Sequence, residues 1–195
     1  MNIADASMLN KLSPFFAMIF SIFLLKEKPK KLEWLAVLLA FSGALFVIKP
    51  SFQLESVPAF LGLFGGLCAG FAYTCVRKLG QSGVRGNVIV LSFSVFSCLF
   101  ALPGMYFTYQ AMEWKQLVFL LLAGASAAGG QFSITAAYTK APAKEISVYD
   151  YTQVIFAAII SFIVLGDLPD VYSFLGYAII IGTAVWKWRY SMKGE

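Results

Sequence analysis

One carboxylate stands inside a long apolar run. From Ile146 to Leu165 the chain reads ISVYDYTQVIFAAIISFIVL, and Asp150 is its one carboxylate. In apolar surroundings such a group can carry a proton or attract a cationic group. Asp150 belongs to a row of small or polar residues, Ser147, Asp150, Val154, Ala157 and Ser161, spaced 3, 4, 3, 4, which is one stripe of a helix. Gln153 adds a polar group three residues on. A matching row runs through Ser7, Asn10, Pro14, Ala17 and Ser21, with Lys11 beside it. Gln131, Thr135 and Tyr138 make a third row, spaced 4 and 3, and Tyr73 lies one turn before Arg77. The candidate substrate or proton pathway is therefore Asp150, Lys11, Asn10, Gln131, Gln153, Tyr73, Tyr138 and Ser147. The serines and alanines equally fit a helix seam, since small residues let backbones approach in lipid. Gln131 fits an interhelical hydrogen bond as well as a ligand contact. Lys11 either pairs with Asp150 or extends outward to the interface.

Other chemistries are poorly served. There is no histidine, which removes the usual zinc sites and the Ser-His and Cys-His nucleophile pairs. Cys68, Cys75 and Cys98 lie in apolar runs without CxxC spacing. No Walker glycine-lysine loop is present, so ATP is not the expected energy source. No catalytic set, metal site or cofactor is expected, and the chain does not read as an enzyme.

The elements that must position these residues follow from composition. The 195 residues are 59% hydrophobic and only 13% charged, with mean hydropathy +0.77; a soluble domain is nearer 45–50% apolar and about 25% charged. Seven apolar segments fall near 5–25, 32–48, 58–76, 87–107, 116–138, 145–165 and 171–187, each close to the length that crosses about 30 Å of hydrocarbon. The expectation is an all-α, polytopic transmembrane helix bundle of seven spans in a cell membrane. Counted along a continuous helix, Asp150 lies about 9 Å in from Lys144, and Lys11 about 9 Å in from the opposite face.

Charge sets the orientation. Lys26, Lys28, Lys30, Lys31, Arg77, Lys78, Arg85, Lys140, Lys144, Lys187, Arg189 and Lys193 fall on one side, while Lys49 and Lys115 fall on the other. The positive-inside rule then places the C-terminus in the cytoplasm and Met1 outside. Basic charge spread over loops in this way forms no nucleic-acid patch. The expected partners are the lipid bilayer and a small-molecule substrate, with a homo-dimer left open.

Ser7 to Ile48 can be laid without a gap over the chain from Ser147 onward, at a constant shift of 140 residues. Ser7 meets Ser147, Ser21 meets Ser161, Pro29 meets Pro169, Glu27 meets Asp167 and Asn10 meets Asp150. Residues 51–195 then make a five-helix unit and 1–50 the last two helices of an earlier one. Five is odd, so tandem units insert with opposite orientation, the inverted-repeat pattern of secondary transporters. The expected whole is a 5+5 inverted-repeat protein of ten helices, with about three helices preceding Met1.

The residues Ser13-Pro14-Phe15-Phe16-Ala17, Leu24-Leu25-Lys26-Glu27 and Leu35 to Gly43, then Ala72-Tyr73, Arg77-Lys78, Gly166-Asp167 and Gly176 to Gly182, resemble EamA-type repeats of the drug/metabolite transporter superfamily. Pro14 keeps the proline of the fourth helix of such a repeat, whereas Val154 stands at that position in the second unit. The resemblance implies ten helices in the intact protein, cytoplasmic termini, and export or uptake of small polar metabolites such as amino acids or drugs. Alternating access between the repeats is the expected mechanism, with proton coupling open through Asp150. The alternative is a truncated, non-transporting membrane protein, or a fragment that needs a partner for the missing helices.

The orientation can be tested directly. A fluorescent protein fused after Glu195 should be bright and alkaline phosphatase fused there inactive; an active phosphatase would reverse the assignment.

Overall fold

The computed structural model describes residues 9–49, 56–108, 110–166 and 168–193. Ser7, Asp167 and the first residues of the 5–25 segment lie outside them. The described residues form α1 (Ser13–Leu25), α2 (Lys31–Ile48), α3 (Ser56–Gln81), α4 (Gly86–Thr108), α5 (Trp114–Lys140), a short α6 (Ala143–Ile146), a 3-10 turn at Tyr149–Tyr151, α7 (Thr152–Leu165) and α8 (Val171–Lys193). By length and composition, α2, α4, α5 and the Ala59–Gln81 part of α3 suffice to cross a bilayer.

One expectation is overturned. The 145–165 segment is not one helix but α6, the 3-10 turn and α7. The backbone stays right-handed at Ser147, Val148, Tyr151 and Thr152, and side-chain hydroxyls add to the bonds on its carbonyls: Ser147 Oγ joins the Ser147 N–H on the Ala143 carbonyl, at 2.6 and 2.9 Å, and Thr152 donates to the Tyr149 carbonyl at 2.7 Å. The start of α1 is interrupted too. Leu9 and Asn10 are helical, Lys11 and Leu12 form a turn, and Pro14, which has no N–H to give, sits in the first turn of α1. At 13 and 14 residues, α1 and α7 are each about 20 Å long, short of a full crossing.

The chain divides into two compact units, residues 1–75 with 142–195, and residues 76–141. In the first unit α2 lies along α8. A Cβ on Gly43 would stand 2.9 Å from the Gly176 carbonyl oxygen, and one on Gly176 would stand 2.5 Å from that of Gly43, so only glycine admits this backbone approach. Ala36, Val37, Ala40, Ala44 and Ile180 fill the surrounding core with Met18, Val148, Tyr151 and Val154.

The helix ends carry matching caps. Lys26 after α1 and Gly166 after α7 are both left-handed, at φ 56° and 73°. Lys30 precedes α2, its N–H donating to Glu33 Oε2 at 2.7 Å. Asp170 precedes α8 and accepts the Ser173 N–H at 3.0 Å. Asp170 also pairs with Lys49. The hydrogen bond from Lys49, reinforced by those from Ser173, holds its carboxyl down at about 2.

At the other end of α2 and α8, Lys187 Nζ lies 3.2 Å from Glu33 Oε1, and both side chains are buried. Among the expected features, Lys187 counted only as a tail cation; here it is inside the fold.

α1 packs on α3 through glycines. A Cβ on Gly66 would stand 2.9 Å from the Leu9 carbonyl, and one on Gly70 2.7 Å from that of Ser13. Buried Thr74 donates to the Gly70 carbonyl at 2.9 Å and reaches the Ala17 carbonyl at 3.2 Å.

In the second unit, Arg77 Nη1 donates to the Thr139 carbonyl at 2.9 Å. A Cβ on Gly80 would stand 2.8 Å from Thr139 Cα. The end of α3 is thereby held to the end of α5. Gly83, at φ 80°, turns the chain into α4.

The Glu33–Lys187 pair generates a prediction. Lys187→Met leaves the Glu33 carboxylate buried without its cation and should destabilise by about 3–5 kcal/mol. Adding Glu33→Gln, which can still accept the Lys30 N–H, should recover much of that loss. Thermal unfolding in detergent measures both.

Candidate functional site

The two interruptions meet. In the turn before α1, Phe15 donates its N–H to the Leu12 carbonyl at 3.0 Å. The Lys11 carbonyl accepts the Tyr151 hydroxyl at 2.9 Å. Ser147 Oγ also approaches the Pro14 carbonyl, at 3.4 Å. The ring of Tyr151 is fully buried. It lies edge-on to Phe41, 6.2 Å between centroids, and Phe41 in turn meets Phe15 at 5.5 Å. In a bilayer a backbone carbonyl at a helix break has no water to turn to, so a hydroxyl donor beside it is worth keeping.

This meeting gathers several of the candidate side chains. Lys11, Tyr73 and Asp150 are all half-buried. The two depths counted along continuous helices placed Lys11 and Asp150 well apart. The hydrogen bond from Tyr151 to the Lys11 carbonyl nevertheless ties together the two segments that carry them. Ser147 is fully buried beside them. Asn10 and Gln153 are exposed. Gln131, half-buried, and Tyr138, fully buried, belong to the second unit.

The two stripes fare differently. Pro14, Ala17 and Ser21 are buried as a seam. On α7 Val154 is buried while Ala157 is exposed. A carboxylate, an ammonium and two phenols at a break between helices can hold a polar or charged small molecule, or take up and pass on a proton. Among the described residues there is no group of three or more potential metal ligands.

Two residues escaped the sequence reading. Tyr151 stood only as a neighbour of Asp150, yet it sits 140 positions after Lys11, a shift visible in the sequence. Glu33, three residues after Lys30 at a helix start, carried a capping signal but none of its distant partner.

The profile of the EamA-like transporter family matches residues 1–49 and 57–186. The chain is 32% identical over 185 residues to the pseudopaline exporter CntI of Pseudomonas aeruginosa, covering 92% of this chain and 63% of that protein. It is 29% identical over 178 residues to a riboflavin transporter of Vibrio cholerae, covering 87% of this chain and 57% of that one. The chain thus spans less than two thirds of the length of these relatives. One solved crystal structure superposes with a TM-score of 0.80 at 15% identity, over 94% of this chain and 66% of its own, a likeness of fold.

Tyr151→Phe keeps the ring against Phe41 and removes the donor. It should lower stability by about 1–3 kcal/mol, the cost of leaving a buried acceptor unsatisfied. An unchanged unfolding temperature would mean that the Lys11 carbonyl does not depend on it.

Proposed function

The chain belongs to the EamA-like transporter family, and from that premise we propose that it works in a secondary transporter moving small metabolites by alternating access between two inverted repeats. Family and apolar helices together make it a multi-pass membrane protein. The residues that carry the proposal are Lys11 and Asp150, on the two interrupted segments that the Tyr151–Lys11 hydrogen bond joins. Interrupted helices near a repeat interface are where secondary transporters hold substrate and coupling ion. Asp150 would bind a proton, or a cationic group of the substrate, in one access state and release it in the other. Lys11, Tyr73 and Tyr151 would share that site.

Several observations support two repeats, the second beginning near residue 51. The family profile matches in two segments. α1 ends at Leu25 and α7 at Leu165, and α2 begins at Lys31 and α8 at Val171, each pair 140 residues apart. The caps at Lys26 and Gly166 obey the same shift. So do Lys11 and Tyr151, which contact each other. At that shift the counterparts of Gly43 and Gly176 are Thr183 and Ala36, and both are buried. Such reciprocity is what a two-fold axis in the membrane plane produces. In this reading the C-terminus is cytoplasmic, which rests on the loop charges.

A second reading is favoured by one observation. In the apolar stretch of α5 no residue is buried within the chain, and added Cβ atoms on Gly124, Gly129 and Gly130 would meet nothing within 4 Å. A helix of small residues left open in this way suits packing against further helices. In that reading the chain transports only together with those helices.

The test uses proteoliposomes of the chain with and without three preceding family helices, and a metabolite panel that includes pseudopaline and riboflavin. Asp150→Asn should abolish most of the flux and flatten its pH dependence. Flux and pH response equal to the unmodified protein's would overturn the role of Asp150.

A further inference from the structure

The connection between α1 and α2 has the sequence KEKPKK, Lys26 to Lys31. Its four lysines are exposed, as is Arg189 near the end of α8. Of the neighbouring acidic groups, Glu33 is buried and Glu27 is half-buried. Glu33 is buried against Lys187 and the Lys30 N–H, and Glu27 keeps Oε2 buried. The exposed residues of the connection are its four lysines. We propose that this end of the α2–α8 pair is a docking surface for anionic lipid headgroups.

Three features make it more than a floppy basic loop. The Lys26 backbone is set in the left-handed cap of α1, its N–H donating to the Ser21 carbonyl. Pro29 restricts the middle of the connection, and the Lys30 N–H is tied to Glu33 at 2.7 Å. The Tyr190 ring then bridges the loop to α8, with Lys30 Nζ 6.0 Å and Lys187 Nζ 5.8 Å from its centroid.

The surface also sits at the right level. α2, long and apolar enough to cross a membrane, begins at Lys31, so the loop lies at the rim of the hydrocarbon. Trp186 and Trp188, exposed on the last turns of α8, are of the type that settles at headgroup depth. Several cations held next to a membrane helix attract anionic lipid, each adding to the affinity and each screened by salt. The inference rests on membrane insertion alone, so it stands or falls separately from the transport reading.

The experiment takes the whole chain in detergent and titrates phosphatidylglycerol against phosphatidylcholine, following tryptophan fluorescence. Phosphatidylglycerol should bind more tightly. K28Q/K31Q should weaken its binding by about thirtyfold, from two lost surface cations, while K28R/K31R should retain it. Added salt should weaken binding to the unmodified protein. Equal affinity for the two lipids, an undiminished affinity in K28Q/K31Q, or indifference to salt would overturn the proposal. Saturation of the same response by inorganic phosphate would overturn it too, since the surface would then be a free-anion site.

Discussion

A bilayer offers no water to a broken helix, and the first unit is arranged around that constraint. Hydrocarbon makes every unsatisfied backbone group costly. The chain nevertheless breaks its helix at Lys11–Leu12 and again across Ser147–Tyr151. It meets the cost by setting the breaks against each other, with the Tyr151 hydroxyl on the Lys11 carbonyl. The same arrangement joins the segment that carries Asp150 to the segment that carries Lys11. A polar group at the meeting of the two segments thus follows from their interruptions rather than from any single helix face.

The α2–α8 pair supplies what the breaks cannot. Two interrupted, shortened helices make weak pillars. Continuous helices joined by a glycine contact at Gly43 and Gly176 and by ion pairs toward either end, Glu33–Lys187 and Lys49–Asp170, hold the frame. The buried pair and the exposed one differ in kind. Asp170 is solvated, and its bond to Lys49 adds little beyond direction. Glu33 and Lys187 are dehydrated, so losing one partner strands the other. Tyr151 joins the two parts, since its ring packs in the α2 core while its hydroxyl closes the break.

Much of this frame was legible in the sequence. The Pro29 and Pro169 hairpins, the lysine-rich loop and the apolar lengths mark helix ends well, and the observed ends at Leu25 and Leu165 keep the 140-residue shift. The polar stripe drew attention to Asp150, with Lys11 beside the matching stripe. The break beside Asp150 was not legible, because SVYDYT lies in an apolar run with neither glycine nor proline, and its hydroxyl-to-carbonyl bonds are a matter of geometry. Depths counted at 1.5 Å per residue likewise gave no sign that the Tyr151 hydroxyl meets the Lys11 carbonyl. The Glu33–Lys187 pair was hidden for another reason: its partners are 154 positions apart, and the lysine resembles any other positive charge at a helix end.

The central claim is that Lys11 and Asp150 act as one unit at the meeting of two broken helices. It can be tested without knowing the substrate, by a double-mutant cycle on stability. Unfolding free energies are compared for the unmodified chain, Lys11→Met, Asp150→Asn and the double variant. A coupling energy of about 0.5–3 kcal/mol is expected, the double variant losing less than the two single losses together. Losses that add to within about 0.3–0.5 kcal/mol would show two independent residues and contradict it.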